Sequence, residues 1–251
     1  MKKSLVVALS VSGLLFLTAC GGGDNDVSTA INAPVEYQLR TAYLNQLTML
    51  SGSRKFKLTG SFVENGFSET INGEGTEDIG AMAATTFEGK SAQKKTTITR
   101  GFAVVANNRN VTLDSVEDVY FDTNYNPLGQ IGNEYVDENG SLYTVVTSST
   151  PIPATARVND SGSLSSSNRY SSTSRTKLLG TYNVSYIVQE DTASTALLKL
   201  VGTLKDTAGK TKMTVTVSYR MTPAGVVTKI NKTEVSYSSN FSATTTLNTS
   251  Y

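Results

Sequence analysis

Three oxygen-bearing side chains, those of Asp122, Asn124 and Asn126, stand at alternate positions along the chain. This is the spacing of the first three ligands in an EF-hand calcium loop. Such a loop needs glycine at its sixth position and glutamate at its twelfth, but here those residues are Pro127 and Asn133. We therefore expect a turn between two strands at this point, and we predict no metal site.

A second group of oxygen side chains lies earlier in the chain, at Glu64, Glu69, Glu74, Glu77 and Asp78. Paired carboxylates can perform acid–base chemistry, as they do in glycosidases. The surrounding sequence is polar and rich in glycine, which is typical of a surface hairpin. We expect these carboxylates to lie on a solvated hairpin face.

Two serine–lysine pairs, Ser91 with Lys94 and Ser174 with Lys177, match the Ser-x-x-Lys spacing of some acyl-transfer enzymes. Both pairs lie on or beside predicted strands, whereas such a lysine needs the start of a buried helix. Histidine is absent and cysteine occurs once, which excludes Ser-His and Cys-His nucleophiles and the usual zinc, copper and haem ligands. We predict no catalytic residue and no cofactor, and we do not expect an enzyme.

The single cysteine, Cys20, ends the run Leu17-Thr18-Ala19-Cys20. An apolar stretch from Leu5 to Leu17 precedes it, behind Lys2 and Lys3. This stretch has the length of a signal peptide and is shorter than the roughly 20 residues of a transmembrane helix. The run resembles the lipobox of bacterial lipoproteins, and the resemblance covers about the first 20 residues.

The lipobox resemblance implies removal of residues 1–19 and attachment of acyl chains such as palmitate to Cys20, which would anchor the protein stably in a membrane. Gly21, rather than aspartate, follows the cysteine. In lipoproteins like those of enterobacteria this residue implies sorting to the outer membrane of a diderm cell envelope. Residues 20–34 are expected to form a flexible tether rich in glycine and aspartate, facing the periplasm or the cell exterior.

The charge of the mature chain is nearly balanced. Removing Lys2 and Lys3 from the 22 basic residues leaves 20 against 21 acidic ones, a formal charge of −1. This balance gives no support for a nucleic-acid partner, which favours a strongly basic face. With one cysteine no disulfide can form within the chain, so the core must stabilise the fold unaided.

One helix is predicted, from Val35 to Leu50. Pro34 suits the start of a helix and Gly52 its end. The apolar residues Leu39, Tyr43, Leu47 and Leu50 recur at helical spacing. This stripe favours packing on a sheet of the same domain, and the alternative is a lid or a partner surface.

The rest of the chain has the alternation of antiparallel strands, most clearly from Thr211 to Met221. In Val226 to Tyr237 the apolar phase slips, which predicts a bulge near Asn231 to Glu234. A hairpin is expected from Gly132–Val136 and Leu142–Thr147. Further strands are predicted over 182–188 and 196–204, with turns at 65–66, 107–108, 139–140, 206–209 and 223–225.

Two polar segments are harder to assign. Serine dominates Ser161 to Ser174, which we interpret as a surface loop, either mobile or ordered over a sheet edge. The segment from Ser238 to Tyr251 is either a last edge strand or a frayed tail.

An internal duplication is one interpretation of the strand region. Lys57–Phe62 and Lys177–Tyr182 agree in chemical type at five of six positions, which suggests two related β-units over 56–122 and 176–238. A hairpin and the Ser-rich loop would join the units. The alternative is that strands rich in threonine and valine resemble one another by composition.

The runs Val119 to Gly129 and Pro151 to Ala156 resemble uncharacterised lipoproteins of proteobacteria, which implies a location and a β-fold but no reaction. Together these observations predict a single domain over 35–251. We expect it to be all-β, mainly an antiparallel sandwich or curved half-barrel, with one N-terminal helix.

The expected function is a non-enzymatic structural or interaction role in the cell envelope, with the membrane as one partner through Cys20. The alternative is a carrier of a lipid or another hydrophobic ligand. Lipoprotein-localisation carriers of the outer membrane are similar in plan, since a helix leads into a curved sheet that shelters acyl chains.

Overall fold

A computed structural model describes residues 35–48, 51–64, 67–105, 109–132, 142–238 and 242–250. Cys20, the tether and the predicted turns at 65–66, 107–108 and 139–140 lie outside these residues. The described part of the chain forms one helix, α1 (Leu39–Thr48), and fourteen strands. The strands are β1 (Gly52–Glu64), β2 (Phe67–Ile79), β3 (Ala83–Phe87), β4 (Lys90–Val105), β5 (Arg109–Thr112), β6 (Ser115–Phe121), β7 (Pro127–Gly132), β8 (Leu142–Ser149), β9 (Ser161–Tyr170), β10 (Leu178–Thr192), β11 (Thr195–Lys205), β12 (Thr211–Met221), β13 (Val227–Ser238) and β14 (Ser242–Ser250).

All described strands belong to one antiparallel sheet, and this sheet closes on itself. Strand β2 pairs with β1 from Phe67 to Ile79 and also pairs with β4 through Asn72–Ile79. Twelve strands therefore follow one another around a ring, in the order β1, β14, β13, β12, β11, β10, β9, β8, β7, β6, β4, β2. The short strands β3 and β5 pair with β4 and are not members of the ring.

The predicted fold class is confirmed, because the described chain is mainly antiparallel β-structure with one helix. The finer arrangement differs from the sandwich and the curved half-barrel that the sequence left open, because the pairing of β2 with β4 closes the single sheet. The strands predicted over 182–188, 196–204 and 211–221 are β10, β11 and β12.

Alternation along the strands separates an inner from an outer face. In β11 every second residue from Ala196 to Leu204 is buried, while Lys199 and Lys205 belong to the opposite face. The inner faces of β10 to β12 form the largest apolar cluster together with residues of α1. Its buried members on the helix are Leu39 and Ala42.

The helix lies inside the ring, where it contacts strands on two sides. The Gln46 side chain donates to the Tyr219 hydroxyl of β12 at 3.5 Å. The Lys95 ammonium of β4 donates to the Leu47 carbonyl near the end of the helix. The prediction that the apolar stripe packs on a sheet of its own domain is confirmed.

The predicted helix start at Val35 is wrong, because α1 begins at Leu39. The N–H of Tyr37 donates to the Ala156 carbonyl at 2.8 Å, and the Ala156 N–H donates back at 3.0 Å. Tyr37 therefore pairs like a strand residue, and the N–H of Gln38 donates to the Pro223 carbonyl at 2.9 Å. Pro34 and Leu50, which were predicted at the ends of the helix, lie outside the described residues.

The Ser-rich segment is not a loop, and that interpretation was wrong. Ser161–Tyr170 is strand β9, which pairs with β8 on one side and β10 on the other. Only residues 171–174 of the segment lie outside the strand, where they form bends and a turn. The C-terminal segment is a strand, as one alternative had it, but not an edge strand, since β14 pairs with both β13 and β1.

The other local predictions hold where the structure describes them. The bulge in β13 lies at residues 230–231, because Ser218 pairs with Lys232 and the next residue, Tyr219, pairs with Lys229. Of the predicted hairpin, 132–136 and 142–147, the structure describes Gly132 and the second strand, with Gly132 of β7 opposite Leu142 of β8. Residues 133–141 lie outside the described residues. The duplication of two β-units stays a prediction.

Candidate functional site

A cavity of about 150 Å³ lies inside the ring, between α1 and the inner faces of β6 to β12. It has two chemically different sides. We name Glu117, Gln130, Thr144, Ser165 and Ser167 the polar wall. We name Tyr182, Val184, Leu200 and Val215 the apolar wall.

The polar wall is built from neighbouring strands whose inner faces carry oxygen and amide groups. The Gln130 amide donates to the Glu117 carboxylate, and the Thr144 hydroxyl donates to the Gln130 carbonyl at 3.4 Å. Glu117 is only 4% exposed. These bonds join β6, β7 and β8 into one hydrogen-bonded surface.

Ser165 and Ser167 are buried on the inner face of β9. Both residues line the cavity, whereas the Ser166 hydroxyl on the other face of β9 donates to Asn183 at 2.7 Å. Buried hydroxyls need a partner, either in the protein or in the space that they face. The two serines therefore offer hydrogen bonds to whatever occupies the cavity.

The apolar wall follows from the alternation of β10, β11 and β12, which points Val184, Leu200 and Val215 inward. Gly202 also lines the cavity, and a Cβ atom there would lie 2.0 Å from the Tyr182 hydroxyl oxygen. The glycine is thus required for the Tyr182 ring to cross the inner face of β11.

The helix forms the remaining side of the cavity through Tyr43 and Leu47. Burial raises the pKa of Tyr43 to about 12, so its phenol is neutral at physiological pH. A second cavity, of about 20 Å³, shares Tyr43, Pro127 and Leu164 with the first and lies beside the turn that contains Asn124.

Elsewhere in the interior, charged side chains form ion pairs or hydrogen bonds with other protein groups. The Arg54 guanidinium contacts the Glu77 carboxylate at 2.6 Å, with side-chain exposures of 18% and 2%. Burial lowers the pKa of Lys95 to about 8, with a further lowering by Arg54 and an opposing effect of Glu77. Lys95 ties the end of α1 to the sheet through the Leu47 carbonyl, and Arg54 and Glu77 join β1 to β2.

Asp122 is the first residue of a turn between β6 and β7, as predicted. Its carboxylate accepts the N–H of Asn124 at 2.7 Å, the N–H of Asn126 at 2.9 Å and the Asn126 side-chain amide at 2.9 Å. Burial alone would raise the pKa of Asp122, but these hydrogen bonds outweigh it and hold the pKa below its usual value. No group of three or more carboxylates among the described residues is placed to hold a metal ion.

The predicted solvated face of carboxylates on the first hairpin is only partly correct. Glu74 is exposed, and Asp78 pairs with Arg100 at 2.8 Å on the surface. Glu77 instead faces inward, because the alternation of β2 places it with Ile71 and Ile79 on the buried face. The side chain of Glu64 lies outside the described residues.

The serine–lysine pairs lie on or beside strands, as predicted. The Lys94 ammonium on β4 pairs with the Asp118 carboxylate at 3.0 Å, and this hydrogen bond raises the pKa of Lys94. The Ser174 hydroxyl lies 2.7 Å from that of Ser172 in the turn after β9. Neither pair joins the cavity.

Sequence reasoning missed the polar wall altogether. Glu117 and Gln130 lie in short strands, and the two serines lie in a segment interpreted as a loop. A weak signal was present. Ser165, Ser167 and Arg169, which follow Leu164, stand at every second position, and this is the spacing of residues on one face of a strand.

Comparisons with known proteins return no match, whether with family models, curated proteins or solved structures. The helix that the structure describes, ten residues long, is neither long nor apolar enough to cross a membrane.

Proposed function

We propose that the chain is a lipid-anchored protein of the bacterial cell envelope whose β-domain binds a small amphipathic molecule without converting it. The observation that carries the binding role is the cavity with a polar and an apolar wall. Ligand sites commonly combine an apolar lining with a few placed polar groups. The buried hydroxyls of Ser165 and Ser167 add a reason for an occupant.

The size of the cavity limits the ligands that a carrier of this structure could hold. A cavity of about 150 Å³ holds a molecule of about the size of benzene. A long acyl chain is much larger than that, so we propose a small ligand and not a membrane lipid. The rest of the interior beside β10 to β12 is filled by the apolar cluster that includes Leu39 and Tyr219.

Binding without reaction is supported by the state of the interior ionisable groups. Lys95 is engaged with the Leu47 carbonyl, and Glu77 is engaged with Arg54. Glu117 accepts a hydrogen bond from Gln130. Among the described residues that line the cavity Glu117 is the one carboxylate, and there is no lysine, histidine or cysteine to serve as a nucleophile or base.

The binding role is tested by thermal unfolding of the detergent-solubilised full chain with neutral, cationic and anionic fragments of one-ring size. A fragment at ten times its Kd stabilises the folded state by about 1.4 kcal/mol, or about 3–6 °C in Tm. We expect at least one fragment to produce this shift in the wild type and in Thr216→Phe, whose side chain is on the outer face. Val215→Phe, which fills the cavity, should lose it. A panel without any shift, or with equal shifts in all three proteins, would contradict the proposal.

The anchor rests on Cys20 and is tested separately. In a diderm host grown with labelled palmitate, the wild-type chain should carry the label and sediment with membranes. The variant Cys20→Ser should carry no label and leave the membrane fraction. An unlabelled wild type, or a labelled variant, would show that the lipobox interpretation is wrong.

A further inference from the structure

We infer that the cavity takes a neutral molecule of about one aromatic ring that carries a single hydroxyl group, with a simple phenol as the nearest chemical type. This inference rests on the proposed function and names the class of ligand for that site. It follows from the size of the cavity, from the serine hydroxyls of its polar wall and from the charges around it.

The size sets the body of the ligand. The cavity of about 150 Å³ matches a molecule of benzene size. The side chains of Val184, Leu200 and Val215 line it on one side and Tyr43 and Leu47 on another. An apolar ring between these surfaces gains from burial and from close packing.

The hydrogen-bonding groups set the polar end of the ligand. Ser165 and Ser167 are 5% exposed each, and both line the cavity. A serine hydroxyl can both donate and accept. A hydroxyl on the ligand can do the same, so one such group can complete the hydrogen bonding of this part of the polar wall.

The charges around the cavity favour a neutral ligand. Glu117 on the polar wall is buried, and so is Arg169, which faces inward two residues after Ser167 and pairs in register with Thr144. Both residues interact with other groups of the protein. With one buried charge of each sign nearby, a charged ligand would be attracted by one residue and repelled by the other, while its own charge would be costly to bury.

The test compares four probes of nearly equal size with the full chain in detergent, by isothermal titration calorimetry. The probes are phenol, toluene, benzylamine and benzoate. We expect phenol to bind about fivefold more tightly than toluene, which corresponds to one net hydrogen bond. Benzylamine and benzoate should bind more weakly than phenol.

Serine variants identify the hydrogen-bonding groups. The double variant Ser165→Ala/Ser167→Ala should bind phenol and toluene with nearly equal affinity. The matched control Ser166→Ala, which removes an outward hydroxyl from the same strand, should keep the fivefold preference. Retention of toluene binding by the double variant reports that the cavity itself is intact.

Each contrary result has a distinct meaning. If benzylamine or benzoate binds most tightly, or if the double variant keeps the preference for phenol, the inferred ligand class is wrong while the binding role stands. If toluene binds as tightly as phenol, the hydroxyls are satisfied by water and the inference again fails. If no probe binds, and the fragment panel gives no shift in Tm, the proposed function itself falls.

Discussion

Glu77 and Arg54 form an ion pair on the inner face of the first hairpin, where the carboxylate is almost completely buried. Removing one partner of a buried pair leaves the other charge without compensation, which is strongly destabilising. Asp78, the next residue, pairs with Arg100 on the outer face with side chains 39% and 59% exposed. Exposed pairs of this kind contribute little to stability.

We therefore predict that Glu77→Gln lowers the free energy of unfolding by about 3 kcal/mol, while Asp78→Asn lowers it by less than about 1 kcal/mol. Urea unfolding of the two variants and the wild type measures both values. Equal effects of the two substitutions would mean that Glu77 is not buried against Arg54 as described.

Lys95 makes the stability of the folded protein depend on pH. Burial, and then Arg54, lower its pKa from the ordinary 10.5 to about 8, while Glu77 acts in the opposite direction. Between these two pH values the unfolded chain binds a proton that the folded chain has released. Since stability rises with pH wherever the unfolded state binds more protons, Lys95 costs stability below pH 8 and less as the pH rises.

The predicted measurement is urea unfolding of the wild type and of Lys95→Met at pH 7, 8, 9 and 10. Relative to the variant, the wild type should gain stability between pH 8 and 10, by up to about 1.4 kcal/mol per pH unit. A difference that is constant over this range, or that moves in the other direction, would show that the folded-state pKa is not lowered.

At the scale of the elements, one turn geometry recurs at residues 122–126, 206–210 and 222–226. In each turn the first residue bonds to the fifth through the backbone, and the fourth has a positive φ. The fourth residues are Tyr125, Gly209 and Gly225, and the two glycines share a φ of 79°. The turn at Gly225 packs on the start of α1, where a Cβ atom would lie 2.8 Å from the Gln38 carbonyl oxygen.

The two glycines therefore form a matched pair for testing how the helix docks. Gly209→Ala has open space around the new Cβ and should cost about 1 kcal/mol through backbone conformation alone. Gly225→Ala should cost about 2 kcal/mol more, because it also presses on the backbone of α1. Urea unfolding measures the loss in free energy of unfolding for both variants. Equal losses would contradict the contact between Gly225 and the start of α1.

Local patterns predicted the elements where one residue type marks one face. Met213 to Met221 alternates apolar and polar residues, and the phase slip after Val226 correctly indicated the bulge in β13. Ser161–Tyr170 could not be recognised as a strand, because serine stands on both of its faces. The helix start could not be predicted either, since the pairing of Tyr37 with Ala156 is a contact between distant parts of the chain.

At the scale of the whole molecule, closure of the sheet depends on the pairing of β2 with β4. The two strands approach closely at glycines: a Cβ atom on Gly75 would lie 2.3 Å from the Arg100 carbonyl oxygen, and one on Gly101 would lie 2.5 Å from that of Glu74. Glycine in a strand often marks a close approach of two backbones. The sequence shows these glycines but not their partners, so it left closure undetermined.

The candidate site, like the closure of the sheet, could be predicted from the sequence only in part. Alternation in β10 to β12 indicated an inward apolar face, which became the apolar wall, but it could not decide between a filled core and a cavity. The polar wall arises only when β6, β7, β8 and β9 lie side by side. Its members Glu117, Ser165 and Ser167 carry no local signal of a shared location.

Methyl NMR of the full chain in detergent, titrated with phenol, tests the internal binding site most directly. Strand β11 supplies an internal control, because Leu198 and Leu200 face inward while Leu197 and Val201 are on the outer face. We predict that the methyl signals of Leu200, Val184 and Val215 shift with one common Kd, while those of Leu197 and Val201 stay unchanged. Shifts confined to outward methyl groups, or no saturable shift at all, would contradict a ligand site inside the closed sheet.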